Sequence, residues 1–143
     1  LESPAFRELL ALAAKKRLLV QLVAQMEDER TQHPNVSVAA VDLAPLAAIL
    51  KGAQDARVML LNANAAMVLK HLQGCPNVWL DFAMIEGVGG VENLLKSWPA
   101  ERVVFGSYAP VFYWESAALK LQESALDKAT MQSLCRQNAA ALI

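Results

Sequence analysis

The residues best suited to chemistry follow the apolar segments of the chain. Glu27, Asp28 and Arg30 come directly after the apolar run RLLVQLVAQ at residues 17–25. A carboxylate in such a position can act as a general base, and an arginine guanidinium can hold an anionic group with two hydrogen bonds. The alternative is a charged loop that faces water. The three residues are therefore candidate catalytic groups.

Further polar side chains end or interrupt the next two apolar segments. Asn62 lies at the end of RVMLLNA and Asn64 directly follows it, where an asparagine either hydrogen-bonds a substrate or stabilises a turn. Asp81 lies inside NVWLDFA, where an unpaired carboxylate is costly to bury, so it needs a structural partner or a site. Asn62 and Asp81 are candidate catalytic residues, and Asn64 is a candidate substrate-binding residue. The direction in which Asp81 points stays open.

Two small-residue segments complete the candidate site. Gly89 and Gly90 precede a helix, whose free amides can hold a phosphate or a carboxylate. The alternative is a flexible loop, since the spacing matches neither the P-loop nor the dinucleotide-binding fingerprint. Ser107 is a candidate substrate-binding residue, and Tyr108 either donates a hydrogen bond to substrate as a catalytic residue or packs at the rim. No histidine lies at a predictable distance from Ser107, so a Ser-His-Asp arrangement has no support.

Four apolar segments predict the strands that position these residues, over 17–25, 57–63, 77–83 and 102–107. Apolar residues at helical spacing predict helices over 4–16, from an Asp42 cap to Gly52, and over 65–73, 91–97, 113–122 and 127–138. Residues 36–41 are either a short strand or an extended connection. Strands that alternate with helices pair in parallel, so the class is α/β. Parallel sheets place their sites at the carboxyl ends of the strands, where the polar residues fall.

Composition excludes several classes of protein. The chain has 143 residues, 55% of them hydrophobic and 19% charged, and its formal net charge is −1. This length suits one domain, so we expect residues 1–143 to form a single α/β domain. The balanced charge argues against nucleic acid, and no apolar run reaches the roughly 18 residues of a membrane span. We expect a cytoplasmic protein in which Cys75 and Cys135 are free, buried thiols.

The segments RVVFGSYAP and LCRQNAAALI resemble the C-terminal end of the amidohydrolase-related (amidohydrolase 2 type) metal-dependent hydrolases, which adopt a TIM barrel. The residues that match the family's eighth strand and final helix are Phe105, Gly106, Ser107, Pro110, Asn138, Ala139 and Leu142. RLLVQLVAQ, RVMLLNA and NVWLDFA are similar to the fifth, sixth and seventh strands. The resemblance implies that the chain is the C-terminal half of a TIM barrel, with strands five to eight.

The chain departs from the family where the family binds its metal. There the fifth and sixth strands end in metal-binding histidines and the eighth in a metal-binding aspartate; Val23, Asn62 and Tyr108 stand at those places. A valine has no ligand atom, an asparagine is a poor zinc ligand, and a neutral phenol is not a ready base near pH 7. We therefore predict no metal ligands and no cofactor in this chain, although the family usually binds a divalent metal such as zinc.

The resemblance implies a hydrolase that acts on an amide, ester or lactone bond of a small-molecule substrate, or a decarboxylation variant, with the usual metal ligands replaced. The alternative is a non-catalytic binding or interaction domain that keeps the barrel fold as a scaffold. Four parallel strands leave unpaired edges, so we expect a homo-oligomer or association with a missing N-terminal half, and no membrane partner. The first residue, Leu1, is not a methionine, which fits a processed piece or a fragment.

Overall fold

Four short apolar segments form one parallel sheet. In the computed structural model, which describes residues 1–143, the strands are β1 (Leu19–Val23), β2 (Arg57–Leu61), β3 (Val78–Asp81) and β4 (Val103–Val104). They lie in the order β1-β2-β3-β4, and each pairs in parallel with the next. The predicted α/β class is therefore confirmed. Every strand is shorter than its predicted interval at the carboxyl end, and β1, β3 and β4 also begin later than predicted.

Seven α-helices connect and cover the strands. They are α1 (Pro4–Lys15), α2 (Leu46–Lys51), α3 (Ala65–Leu72), α4 (Gly90–Leu95), α5 (Trp114–Glu123), α6 (Lys128–Gln132) and α7 (Asn138–Leu142). Side-chain oxygens cap three of them, and at α6 Asp127 Oδ1 accepts a hydrogen bond from the Thr130 amide at 2.7 Å. Ser3 accepts a hydrogen bond from the Phe6 amide at 3.3 Å, and Asn64 accepts one from the Met67 amide at 2.9 Å. These caps explain why α1 and α3 begin where the sequence predicts.

The segment between β1 and α2 differs from the predicted helix start. Residues 36–41 form an extended connection and no strand, and Val41 at its end donates a hydrogen bond to the Ala24 carbonyl at 2.8 Å. The helix predicted from an Asp42 cap begins at Leu46. Asp42 Oδ1 instead accepts a hydrogen bond from the Ala44 amide at 2.9 Å, which closes a turn before the helix.

One face of the sheet packs against the helices. Val58, Leu60, Val78, Leu80 and Val103 lie on this face, and none is more than 1% exposed. They belong to a cluster of 23 buried residues that includes side chains from α1 to α5. Alternate residues of each strand point away from this core to the second face. The core therefore fixes the strands and leaves their carboxyl ends to carry polar groups.

The second face is covered by the end of the C-terminal helix. Met59 and Val104 on this face pack against Leu142, which is 3% exposed. Arg57, at the start of β2, donates a hydrogen bond from Nη1 to the Leu142 carbonyl at 2.8 Å. The helix end thus closes the second face near the amino ends of the strands.

The same helix occupies the outer edge of β4. Between α6 and α7 the chain forms a π-helical turn, Ser133–Gln137. The Phe105 amide donates to the Leu134 carbonyl at 2.9 Å, and Asn138 Nδ2 donates to the Val103 carbonyl at 2.7 Å. These bonds satisfy groups that a further strand would pair. The opposite edge has no such cover, because β1 pairs with β2 alone.

Both cysteines are free thiols, but the prediction that both are buried is wrong. Cys75 is half-buried, and Cys135 is exposed on the π-helical turn. None of the helices combines the length and the apolar character that crossing a membrane requires.

Candidate functional site

Asn62 and Asp81 meet at the carboxyl ends of β2 and β3. Asn62 has a φ of 58°, a left-handed conformation that asparagine tolerates better than most residues. Its backbone amide donates a hydrogen bond to Asp81 Oδ1 at 3.0 Å. Its side chain donates from Nδ2 to the Gln25 carbonyl, beyond the end of β1, at 2.6 Å. Asn62 therefore joins the ends of three adjacent strands.

Asp81 points to the second face of the sheet, the side shared with Trp79 and Val104. It is 3% exposed, and this burial raises the pKa of its carboxyl. The backbone amides of Asn62 and Ala83 oppose the rise by hydrogen bonding. Because one carboxylate oxygen already holds the Asn62 amide, the first role of Asp81 is to fix the strand ends.

Lys120 of α5 reaches the same region from the other side. Its ammonium group donates a hydrogen bond to the Ala83 carbonyl. Burial lowers the pKa of Lys120, and neighbouring carboxylates, Glu86 first, oppose that change. The sequence reasoning missed Lys120, since a lysine on an amphipathic helix usually faces water. Its helical spacing from the buried residues Ala117 and Ser124 is the one signal that points inward.

Asp28, Arg30 and Glu86 form an ion-pair network across the edge of the sheet. Arg30 Nη2 lies 2.5 Å from Asp28 Oδ2 and 2.6 Å from Glu86 Oε1. The guanidinium holds the pKa of the Asp28 carboxyl below its ordinary value. The network joins the connection after β1 to the connection after β3. The sequence predicts that Arg30 holds an anionic group. Because two carboxylates already bind its guanidinium, Arg30 is poorly available for that role.

Two cavities flank this network. The first, here called the α3 cavity, measures 380 Å³ and has polar lining residues Gln25, Asp28, Glu29, Arg30, Asn64 and Glu86. The second, called the α5 cavity, measures 340 Å³ and is lined by Glu27, Asp28, Thr31, Ala83, Met84, Glu86, Val111, Phe112, Tyr113, Ser116 and Lys120. Cavities of 550 and 660 Å³ lie beside Leu142 and Arg57, away from the carboxyl ends. We place the site at the carboxyl ends because polar side chains from several connections meet there.

Three other predicted residues lie near this edge with local partners. Asn64 lines the α3 cavity, although its side-chain oxygen caps α3. Ser107 Oγ accepts a hydrogen bond from the Ala109 amide at 3.3 Å. Tyr108 has a φ of 55°, and its ring lies 5.5 Å from the Phe112 ring. Neither Ser107 nor Tyr108 lines either of the two cavities. Their roles toward a substrate stay predictions.

Gly89 and Gly90 lie at the start of α4 and outside both cavities. Gly89 has a φ of 63°, and a Cβ there would come within 3.1 Å of the Glu92 side chain. The Gly90 amide donates to the Gly87 carbonyl at 3.0 Å. Both glycines therefore turn the chain into α4, and substrate binding by them stays a prediction.

The positions at which the resembling family holds its metal do not form a ligand set. Val23 ends β1, the Asn62 side chain donates to the Gln25 carbonyl, and Tyr108 packs against Phe112. No group of three or more His, Cys, Asp or Glu side chains is arranged to hold a metal ion. The residues present do not fit the divalent metal of that family. The chemistry of this edge must be derived from its carboxylates and its lysine.

The sequence matches no protein-family model and no curated protein, whereas solved structures match nearly the whole chain. 2,6-Dihydroxybenzoate decarboxylase from Rhizobium gives a TM-score of 0.73 at 13% identity, over 98% of this chain and 55% of that chain. Amidohydrolase 2 from Bifidobacterium longum subsp. infantis gives 0.68 at 15% identity, over 98% and 55%. An uncharacterised TIM-barrel protein from Bordetella bronchiseptica gives 0.68 at 15% identity, over 99% and 50%.

The chain spans about half the length of these structures. Its four parallel strands with helices correspond to half of an eight-stranded barrel. The predicted fold, four parallel strands that correspond to half of a TIM barrel, is thus confirmed, whereas the assignment to strands five to eight of a larger barrel stays a prediction. This chain has the fold of one half of a TIM barrel, the fold that it shares with these solved structures.

Proposed function

We propose that the chain carries strands five to eight of an amidohydrolase-like barrel, and that the completed barrel hydrolyses an amide, ester or lactone bond of a small organic molecule without a metal centre. One observation carries the proposal: connections after β1 and β3 meet at the carboxyl edge, where Arg30 links Asp28 to Glu86. TIM-barrel enzymes place their active sites at this edge. The likeness in fold to an amidohydrolase and a decarboxylase supports the choice of class.

Glu27 is the carboxylate best suited to be the general base. It is half-buried in the α5 cavity, and no hydrogen bond or ion pair engages its side chain. Asp28 is held by Arg30, and Asp81 holds the Asn62 amide. A carboxylate without a partner keeps its lone pairs available for a proton from water. The geometry therefore favours Glu27 over the other two candidates.

In the proposed reaction Glu27 removes a proton from a water molecule as the water oxygen bonds to the substrate carbonyl carbon. The carbonyl oxygen becomes anionic, and the Lys120 ammonium, which lines the same cavity, stabilises that charge. The bond from carbon to the leaving nitrogen or oxygen then breaks. The leaving atom takes the proton from Glu27, which restores the carboxylate.

The completed barrel needs four further strands, which a second copy of this chain or a separate N-terminal half would supply. The outer edge of β1 pairs with no other strand and offers five residues for pairing. We propose this edge as the main junction with the other half. The partner of the substrate site is a small molecule, since the cavities there measure 340 and 380 Å³.

The test is turnover of a panel of amides, esters and lactones by the assembled barrel that contains this chain, with metal analysis of the same sample. We expect turnover without stoichiometric metal. Glu27→Gln should lower kcat/KM by about 100-fold or more, the contribution of a general base. Glu8→Gln, an exposed change on α1, should leave it unaltered. Stoichiometric zinc in the active protein would overturn the metal-free mechanism, and full activity of Glu27→Gln would overturn the assignment of the base.

A non-catalytic binding domain is the second candidate function. The observation in its favour is that several polar groups of the edge satisfy one another: Asp28 pairs with Arg30, and Asp81 with the Asn62 amide. Ligand binding without turnover of any compound in the panel would favour this candidate. Turnover that Glu27→Gln abolishes would exclude it.

A further inference from the structure

The connection from β4 to α5 forms an apolar wall of the α5 cavity. Val111, Phe112 and Tyr113 line this cavity, and Met84 adds a fourth apolar side chain from the connection after β3. Val111 is 55% exposed and Tyr113 is 85% exposed, so the wall is accessible to a molecule that enters the cavity. A ligand that covers such a surface removes apolar area from water, which favours binding.

Backbone hydrogen bonds hold the wall in place. The Val111 and Phe112 amides donate to the Tyr108 carbonyl at 3.0 and 3.1 Å. The Ser116 amide donates to the Tyr113 carbonyl at 3.1 Å, and the Phe112 ring lies 5.5 Å from the Tyr108 ring. These contacts fix the turn before a ligand arrives, so binding requires little ordering of the backbone that carries the wall.

The wall and the proposed reacting groups share one cavity. Ser116 and Lys120 are four residues apart, which places them on one face of α5, and Tyr113 precedes the first turn of this helix. Tyr113 and Lys120 are therefore about 10 Å apart along the helix, at about 1.5 Å per residue. Glu27 lines the same cavity from the connection after β1. A molecule whose carbonyl group lies between Glu27 and Lys120 can extend along α5 to Val111 and Tyr113.

The charges of the cavity disfavour an anion. Glu27, Asp28 and Glu86 contribute three carboxylates to the lining, whereas Lys120 contributes one ammonium group. Arg30, which binds two of these carboxylates, leaves the group with one negative charge in excess. The apolar wall adds no charged side chain that could hold a carboxylate. A neutral molecule therefore suits the cavity better than an anionic one.

We infer that the substrate is a neutral ester, amide or lactone with an extended apolar arm, and that Val111 and Tyr113 bind this arm while the carbonyl group lies between Glu27 and Lys120. This inference rests on the proposed function and names its substrate class. Val111 and Tyr113 are specificity-determining residues, since they contact the arm and not the reacting atoms.

The test measures binding of methyl ketones to the chain by NMR titration. Ketones present a carbonyl group without a leaving group, so their binding does not depend on turnover. Methyl ethyl, methyl butyl and methyl hexyl ketone differ only in arm length. Kd should fall by about two- to fourfold for each added methylene group, the usual effect of burying one. The keto acid in which a carboxylate replaces the terminal methyl group of methyl hexyl ketone should bind about tenfold more weakly than that ketone.

Matched variants locate the arm. Val111→Ser and Tyr113→Ala should each raise Kd for methyl hexyl ketone by about threefold or more. Both should leave Kd for methyl ethyl ketone within about twofold, because its short arm does not reach the wall. Val88→Ser is the control: Val88 is 88% exposed and lies outside the α5 cavity, so neither Kd should change. Circular dichroism checks that each variant is folded.

Four results would overturn the inference: Kd values that do not depend on arm length, tighter binding of the keto acid than of methyl hexyl ketone, no loss in either wall variant, or an equal loss in Val88→Ser. The assembled barrel should give the same order of Kd values, and loss of this order there would show that the other half covers the wall, which also overturns it. Turnover of the panel without the ketone order would refute this inference alone. The ketone order without turnover of any panel compound would refute the hydrolysis and leave the binding preference.

Discussion

Gly106 lies against Asp81 so closely that any side chain at this position must displace the segment after β4 from the end of β3. A Cβ built at Gly106 would lie 2.5 Å from Asp81 Cβ and 2.8 Å from its Oδ2. Carbon atoms in contact normally lie about 3.5–4.0 Å apart, so the segment that contains Gly106 would have to move away from Asp81 by roughly 1 Å. The nearest atom is a Cβ, which no side-chain rotation can move away. We expect Gly106→Ala to cost about 3 kcal/mol, the upper end of the range for overpacking.

The free energy of unfolding, from urea denaturation followed by circular dichroism, measures this cost. Gly52→Ala is the matched control, because its Cβ would meet nothing closer than the Ile49 carbonyl at 3.5 Å, and it should change stability by less than about 1 kcal/mol. Asp81→Gly removes the obstructing Cβ, so Gly106→Ala should cost about 2 kcal/mol less in that background than alone. If Gly106→Ala unfolds within about 0.5 kcal/mol of the wild type, the packing argument is wrong.

Three further predictions concern stability and assembly. Burial raises the pKa of Asp81, so the folded state holds this proton more tightly than the unfolded state. The free energy of unfolding should therefore fall as the pH rises above 3.8 and level off beyond the pKa of Asp81 in the folded state. Urea titrations of Asp81→Asn at several pH values should lack this part of the pH dependence. Leu142→Ala should cost about 2 kcal/mol by opening a cavity beside Met59 and Val104, whereas Ile143→Ala, at a site 98% exposed, should be neutral in the same assay. Sedimentation equilibrium should show association rather than a free monomer, because the β1 edge is unpaired; a stable monomer would contradict this.

The sheet could be predicted because its strands carry their signal locally. RVMLLNA and NVWLDFA are mostly apolar, as strands covered on both faces are, and both form strands. The strand ends could not be predicted. β4 contains only Val103 and Val104, since the next amide, that of Phe105, bonds to a helix carbonyl rather than to a strand. That bond depends on a residue far along the chain.

The site shows the same division between local and distant information. Asp28 and Arg30 are two residues apart, so their proximity follows from the sequence, and the carboxyl-end rule correctly places Asn62 beside Asp81. The link from Arg30 to Glu86 spans 56 residues, and Lys120 arrives from a helix whose orientation is fixed only by packing. No local pattern encodes such contacts. They depend on how the connections fold over the sheet edge.

The bonds between the C-terminal segment and β4 bear on the proposed association with a second half of a barrel. A closed barrel has two junctions between its halves, one along β1 and one along β4. Leu134 and Asn138 already occupy the Phe105 amide and the Val103 carbonyl, so pairing at β4 can begin only beyond these groups. β1 offers all five of its residues. In the proposed assembly, β1 would therefore contribute most to the affinity between the halves, and the junction at β4 would contribute mainly to their alignment.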